Sequence, residues 1–116
     1  PVVFAKKTQP NTMTEDFYKQ RLIDAGLQVL IPETGARAEV HRIIYEELCQ
    51  GQLLDSSRQY YQQVIEDLAD KGAKGVILGC TEIGLLIQQV DSPIPIFDTT
   101  AIHAAAAVDF LLSSWF

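Results

Sequence analysis

Short apolar runs alternate with longer amphipathic stretches along the whole chain, and this alternation constrains the fold more than any other feature. The apolar runs fall at residues 2–5, 27–31, 75–79 and 94–97. Val76, Ile77 and Leu78 are apolar in succession, as in a strand buried on both faces. The stretches between carry apolar residues at helical spacing. Strands that alternate with helices pair in parallel through right-handed crossovers. The expectation is therefore an α/β fold. One domain spans residues 1–116, with about four parallel strands and helices on both faces, giving three layers. A length of 116 residues suits one domain. With 47% hydrophobic and 21% charged residues, the chain has the composition of a folded globule.

The helices have their own punctuation. Thr14 is placed to cap a first helix, with Glu15 and Asp16 at its positive end. Phe17, Arg21 and Leu22 continue it, and Gly26 stops it. Residues 6–11 contain Pro10 and read as a loop. Val40, Ile43, Ile44 and Leu48 form a stripe over residues 36–49, which Gly51 ends. Ser56 or Ser57 caps the next helix. There Tyr61, Val64, Ile65 and Leu68 follow the i, i+3, i+4, i+7 pattern of a core face, and Lys71-Gly72 closes it. A short helix is expected over residues 83–88. Thr99 or Thr100 caps a last, alanine-rich helix over residues 101–112.

Several classes of function are excluded. The net charge is −6, which disfavours electrostatic binding to nucleic acid or anionic membrane. No apolar run approaches the ~20 residues of a membrane span. The first residues lack the layout of a signal peptide, so a cytoplasmic protein is expected. Cys49 and Cys80 are too few for a disulfide scaffold. His41 and His103 belong to no ligand spacing, so no metal site is expected.

Sheets of this kind bind ligands beyond the carboxyl ends of their strands. That edge holds residues 6–12, 32–35, 80–82 and 98–100. Cys80 lies where a strand ends and a helix begins. Backbone N–H groups there favour anions and lower a thiol's pKa, and they also suit a substrate carboxylate. Thr81 adds a hydroxyl. Glu82 adds an acceptor for an ammonium group, or a general base. A buried, inert cysteine at a tight turn is the competing reading. Cys49 sits at a helix's negative end and reads as packing. Asp98 and Thr99 read first as caps, His103 as surface, and His41 as a solvated partner of neighbouring acids.

The run Gly75-Val76-Ile77-Leu78-Gly79-Cys80-Thr81-Glu82-Ile83-Gly84-Leu85-Leu86 resembles the aspartate/glutamate racemase family. So does Pro95-Ile96-Phe97-Asp98-Thr99-Thr100-Ala101-Ile102-His103, and the runs at residues 12–18 and 46–51 agree. The resemblance extends over residues 12–112. It implies a pyridoxal-independent, metal-free racemase of acidic amino acids, with no cofactor. Two similar flavodoxin-like domains form such an enzyme, and each supplies one cysteine to the cleft between them. One thiolate removes the α-proton and the other thiol returns a proton to the opposite face. By this resemblance Cys80 is the catalytic cysteine of the second domain. Thr12, Thr81 and Glu82 take substrate-binding positions.

The chain also departs from the family's pattern. It has about half the family's length and corresponds to the second domain plus the C-terminal helix. The first domain and its cysteine are not in it. That leaves the final helix, with Trp115 and Phe116, as apolar surface that invites association. A homodimer, or a separate first domain, is the expected partner. Gln9 stands where the family has threonine, and Gln50 stands before Gly51 where many aspartate-specific members have lysine. Three functions remain open on the sequence. The chain is part of a two-cysteine racemase, or a one-cysteine enzyme like the related decarboxylases, or a non-catalytic remnant that binds small carboxylates or self-associates.

Overall fold

The structure is a computed structural model and describes the backbone of residues 2–4 and 19–115, with side chains over residues 19–113. Val2–Phe4 form strand β1, and residues 19–24 are helical (α1). Then come β2 (Val29–Leu30), α2 (Thr34–Glu46), α3 (Asp55–Asp70) and β3 (Gly75–Leu78). The chain continues through α4 (Ile83–Leu86), β4 (Ile96–Asp98) and α5 (Thr99–Trp115). Turns of 3-10 helix occupy Leu48–Gln50 and Gln89–Asp91. The loop expected over residues 6–11 and the helix start expected at Thr14 lie outside the described residues.

The strands pair in the order β2-β1-β3-β4, and every pairing is parallel. The expected α/β alternation is therefore what forms. β3 is central and apolar, with Val76 and Leu78 buried, and Gly75 lets it pack closely on β4. A Cβ at Gly75 would lie 2.9 Å from Phe97 Cε2. β2 occupies the middle of its apolar run, with Val29 and Leu30 paired to Val2 and Val3 of β1.

The core is one cluster. Ile43 and Ile44 of α2 meet Tyr61, Val64, Ile65 and Leu68 of α3. Val76 and Leu78 of β3 complete it with Ile83 and Leu86 of α4. The residues expected on the buried face of α3 are thus all buried. Each such side chain contributes about 1.5–3 kcal/mol of burial. Gly72 ends α3 as expected. Its φ is +102°, its N–H reaches the Ala69 carbonyl, and the next N–H, from Ala73, reaches Leu68. That is a Schellman close, which only glycine enters without strain.

Three local expectations change. Neither Ser56 nor Ser57 caps α3, which begins at Asp55. Ser57 lies within the first turn, buried, and its hydroxyl donates to Glu47 Oε1. Glu47 is a buried carboxylate that also takes Arg42 Nη2 at 3.1 Å. The helix expected over residues 83–88 is one turn, Ile83–Leu86, and Ile87 is already extended. Arg58 Nε holds that turn by donating to the Leu86 carbonyl at 3.0 Å. The last helix is longer than expected and runs from Thr99 to Trp115. No helix among the described residues is long and apolar enough to cross a membrane.

Candidate functional site

The strand order places β1 between β2 and β3. The chain passes from β1 to β2 on one side and then crosses back to β3 on the other. Connections leaving β1 and β3 therefore diverge, and ligands settle in that crevice at the carboxyl ends. β3 ends at Leu78, and Cys80 follows two residues later.

Cys80 is half-buried, with its side chain against the edge of the core. Its Sγ lies 2.8 Å from Glu82 Oε2, with the thiol donating. Glu82 is also half-buried, whereas Thr81 is exposed. The Cys80 carbonyl accepts the Ile83 N–H at 3.3 Å, so that amide belongs to the turn and not to an anion site. A single turn of helix also carries little of the macrodipole expected at this position. A carboxylate is thus a polar partner of the thiol. Such a pair can pass a proton between sulfur and oxygen, which is the elementary act of general acid–base chemistry.

Asp98 and Thr99 brace this loop from the neighbouring strand. Thr99 Oγ1 donates to the Leu78 carbonyl at 2.9 Å, tying the start of α5 to the end of β3. Asp98 Oδ1 accepts the Thr100 and Ala101 N–H groups at 3.0 and 3.3 Å. Asp98 is thus the cap expected of it, and neither threonine is. The other Asp98 oxygen packs onto the Cα of Gly84, where any Cβ would overlap Oδ2 and come within 3.2 Å of Cγ. Sequence reading passed over Gly84, although a glycine inside a helical turn signals a close approach.

The four segments expected at the strand ends do not all converge. Residues 80–82 and 98–100 meet through the Thr99–Leu78 and Gly84–Asp98 contacts. Pro32 and Glu33 line an open cavity of about 350 Å³ together with residues of α2 and α3 such as Ala36, Val64, Asp67 and Leu68, and none of residues 80–82 or 98–100 lines it. Thr12 lies outside the described residues. Cys49, read as packing, is exposed in a 3-10 turn. Among the described residues His41 meets an aromatic neighbour and no acid, its ring centroid 4.7 Å from that of Tyr45. His103 is exposed on α5. Among the described residues no cluster of His, Cys, Asp and Glu is arranged to hold a metal ion.

The chain is thus a parallel α/β sheet with a thiol–carboxylate pair just beyond the carboxyl end of β3. The chain belongs to the Asp/Glu/hydantoin racemase family, whose pattern it matches over residues 8–107. It is 46% identical to a Yersinia pestis protein assigned as an Asp/Glu racemase, with a TM-score of 0.83 over 96% of this chain and 48% of that one. It is 35% identical to an aspartate racemase homologue from Pyrococcus horikoshii OT3, with a TM-score of 0.79 over 94% of this chain and 47% of that one. The chain thus spans about half the length of these solved structures.

Proposed function

We propose that this chain is the Cys80-bearing half of a cofactor-independent amino-acid racemase of the aspartate/glutamate type. It would be a three-layer, flavodoxin-like domain around four parallel strands. Its ligand is a small amino acid, held by Thr12, Thr81 and Glu82, and its setting is the cytoplasm. The Cys80–Glu82 contact of 2.8 Å carries the reading, because it gives the thiol a proton partner at the end of β3. Cys80 as thiolate takes the α-proton, and the electron pair stays on the substrate as a carboxylate-stabilised carbanion. A second acid, on the opposite face, returns a proton to that carbon and inverts it. No net oxidation occurs, and the two groups exchange roles in the reverse direction.

The second acid lies outside the Cys80 loop. Cys49, the other cysteine, sits exposed in the turn after α2, on no strand end. That observation favours a second reading, in which the isolated chain binds a carboxylate and exchanges a proton on one face without inverting it.

Incubation of each enantiomer of aspartate and glutamate in D₂O separates these readings. Exchange with inversion supports a complete acid–base pair, and exchange with retention supports Cys80 alone. Cys80→Ser should abolish either. Exchange that survives Cys80→Ser overturns the assignment of Cys80, and absence of exchange from the wild-type chain overturns catalysis by this chain alone.

A further inference from the structure

β4 ends the strand order, so among the described residues one of its edges has no strand beside it. Such an edge invites pairing with another chain. Alternate residues of a strand in a parallel ladder turn their N–H and C=O groups to opposite edges. The Pro95 carbonyl accepts the Val76 N–H at 2.9 Å, so residue 95 faces β3. Ile94 and Ile96 therefore turn their backbone groups outward.

Side chains of the preceding loop already meet that edge. Gln89 Nε2 donates to the Ile94 carbonyl at 3.0 Å, and Gln89 Oε1 accepts the Ile96 N–H at 2.9 Å. A side-chain amide carries a donor and an acceptor on one planar group, as a peptide does. In a further parallel strand, one residue would donate to a carbonyl and accept the N–H two positions on. The Gln89 amide makes that same pair of bonds. Ser92 meets Ile94 as well. Its hydroxyl accepts the Ile94 N–H at 3.2 Å and donates to the Ile94 carbonyl at 2.6 Å.

The turn that carries Gln89 is fastened on both sides. Leu86 and Ile87, just before it, are buried. The Gln88 N–H donates to Asp91 Oδ2 at 2.9 Å, and Gln62 Nε2 of α3 donates to Asp91 Oδ1 at 2.9 Å. We propose that Gln89 is an edge guard, whose amide stands in for a fifth strand and keeps extended chain from adding to β4. Another copy's β4 is the simplest chain to exclude, since two such edges can pair about a two-fold axis. Phe97 of β4 and Val90, next to Gln89 in sequence, are 45% and 90% exposed, and apolar side chains of this kind favour such pairing. None of this rests on the chemistry proposed for Cys80.

Amide hydrogen exchange read by NMR at high dilution tests the guard without any substitution. The Ile96 N–H should exchange more slowly than an unbonded amide. In Gln89→Ala it should exchange several-fold faster, while the Val76 N–H keeps its protection and far-UV circular dichroism is unchanged. Sedimentation equilibrium should then show Gln89→Ala associating several-fold more tightly than the wild-type chain. Gln89→Glu keeps the acceptor for Ile96 and adds a negative charge, which opposes strand addition at an edge. It should protect Ile96 and associate no more than the wild type. An unprotected Ile96 N–H in the wild-type chain overturns the proposal. So does a folded Gln89→Ala that associates no more than the wild type, or a Gln89→Glu that associates more than the wild type does.

Discussion

Tyr61 shows how one residue ties the core to the site. Its ring is buried among the aliphatic residues of α3, and its hydroxyl donates to the Val40 carbonyl at 3.0 Å. Burial pushes its phenol above the ordinary tyrosine range, and nearby negative charge at Cys80, Glu47 and Glu39 pushes the same way against Arg42. The folded chain therefore holds this proton more tightly than the unfolded chain. The resulting stability is whole below the ordinary value of about 10 and is lost as pH rises toward the folded value. Absorbance at 295 nm during alkaline titration should show one tyrosine ionising only as the chain unfolds. Tyr61→Phe should remove that late step and cost about 1 kcal/mol near neutrality through the lost hydrogen bond. Simultaneous ionisation of all the tyrosines in the folded chain would refute the assignment. Gly84 makes the opposite point, because there two effects compete. Alanine is favoured over glycine in a helix by about 1 kcal/mol. The overlap of a Cβ with Asp98 is an overpacking cost of about 1–3 kcal/mol. The overlap should win, so Gly84→Ala is expected to lower the melting temperature. Asp98→Ala in the same chain should make the two losses less than additive. Strict additivity would mean that the contact carries no energy.

At the scale of elements, the sequence legibly announced which segments are helix and which are strand, because period and punctuation are local signals. The stripe through Tyr61, Val64, Ile65 and Leu68 needed no tertiary information, nor did the stop at Gly72. The ends that moved depend on partners distant in the chain. Ser57 could not be separated from a cap without knowing that Glu47, ten residues earlier, is buried beside it. α4 stops at Leu86 where Arg58 takes its carbonyl, an interaction across 28 residues. Cys80 and Glu82 were readable as candidates from their place after β3, and Asp98 as a cap. The Gly84–Asp98 packing that joins their loops was not. Ser57→Ala tests how much such a distant pairing matters. Alanine's helix propensity exceeds serine's by at most about 0.7 kcal/mol, whereas leaving a buried carboxylate oxygen short of a donor costs about 1–3 kcal/mol. The variant should unfold at lower urea concentration with an unchanged slope. An unchanged midpoint would show that Glu47 is satisfied without Ser57.

Stability in the whole molecule is unevenly spread. The core cluster ends where β4 gives way to α5. Beyond Thr99 the chain continues as a helix whose described side chains lie in solvent from residue 101 to 113. Among the described residues, the Asp98 cap and the Thr99 bond to Leu78 hold its start. A helix of this length is marginal in water without packing, so α5 belongs to the low end of the range of local stabilities and β3 to the high end. Amide hydrogen exchange followed by mass spectrometry should resolve this as a gradient. At high dilution, protection should be greatest at Val76 and Leu78, weak at Thr100 and Ala101, and nearly absent beyond Val108. Uniform protection along α5 at high dilution would contradict this account, since it would require a packing partner for the helix within the chain itself.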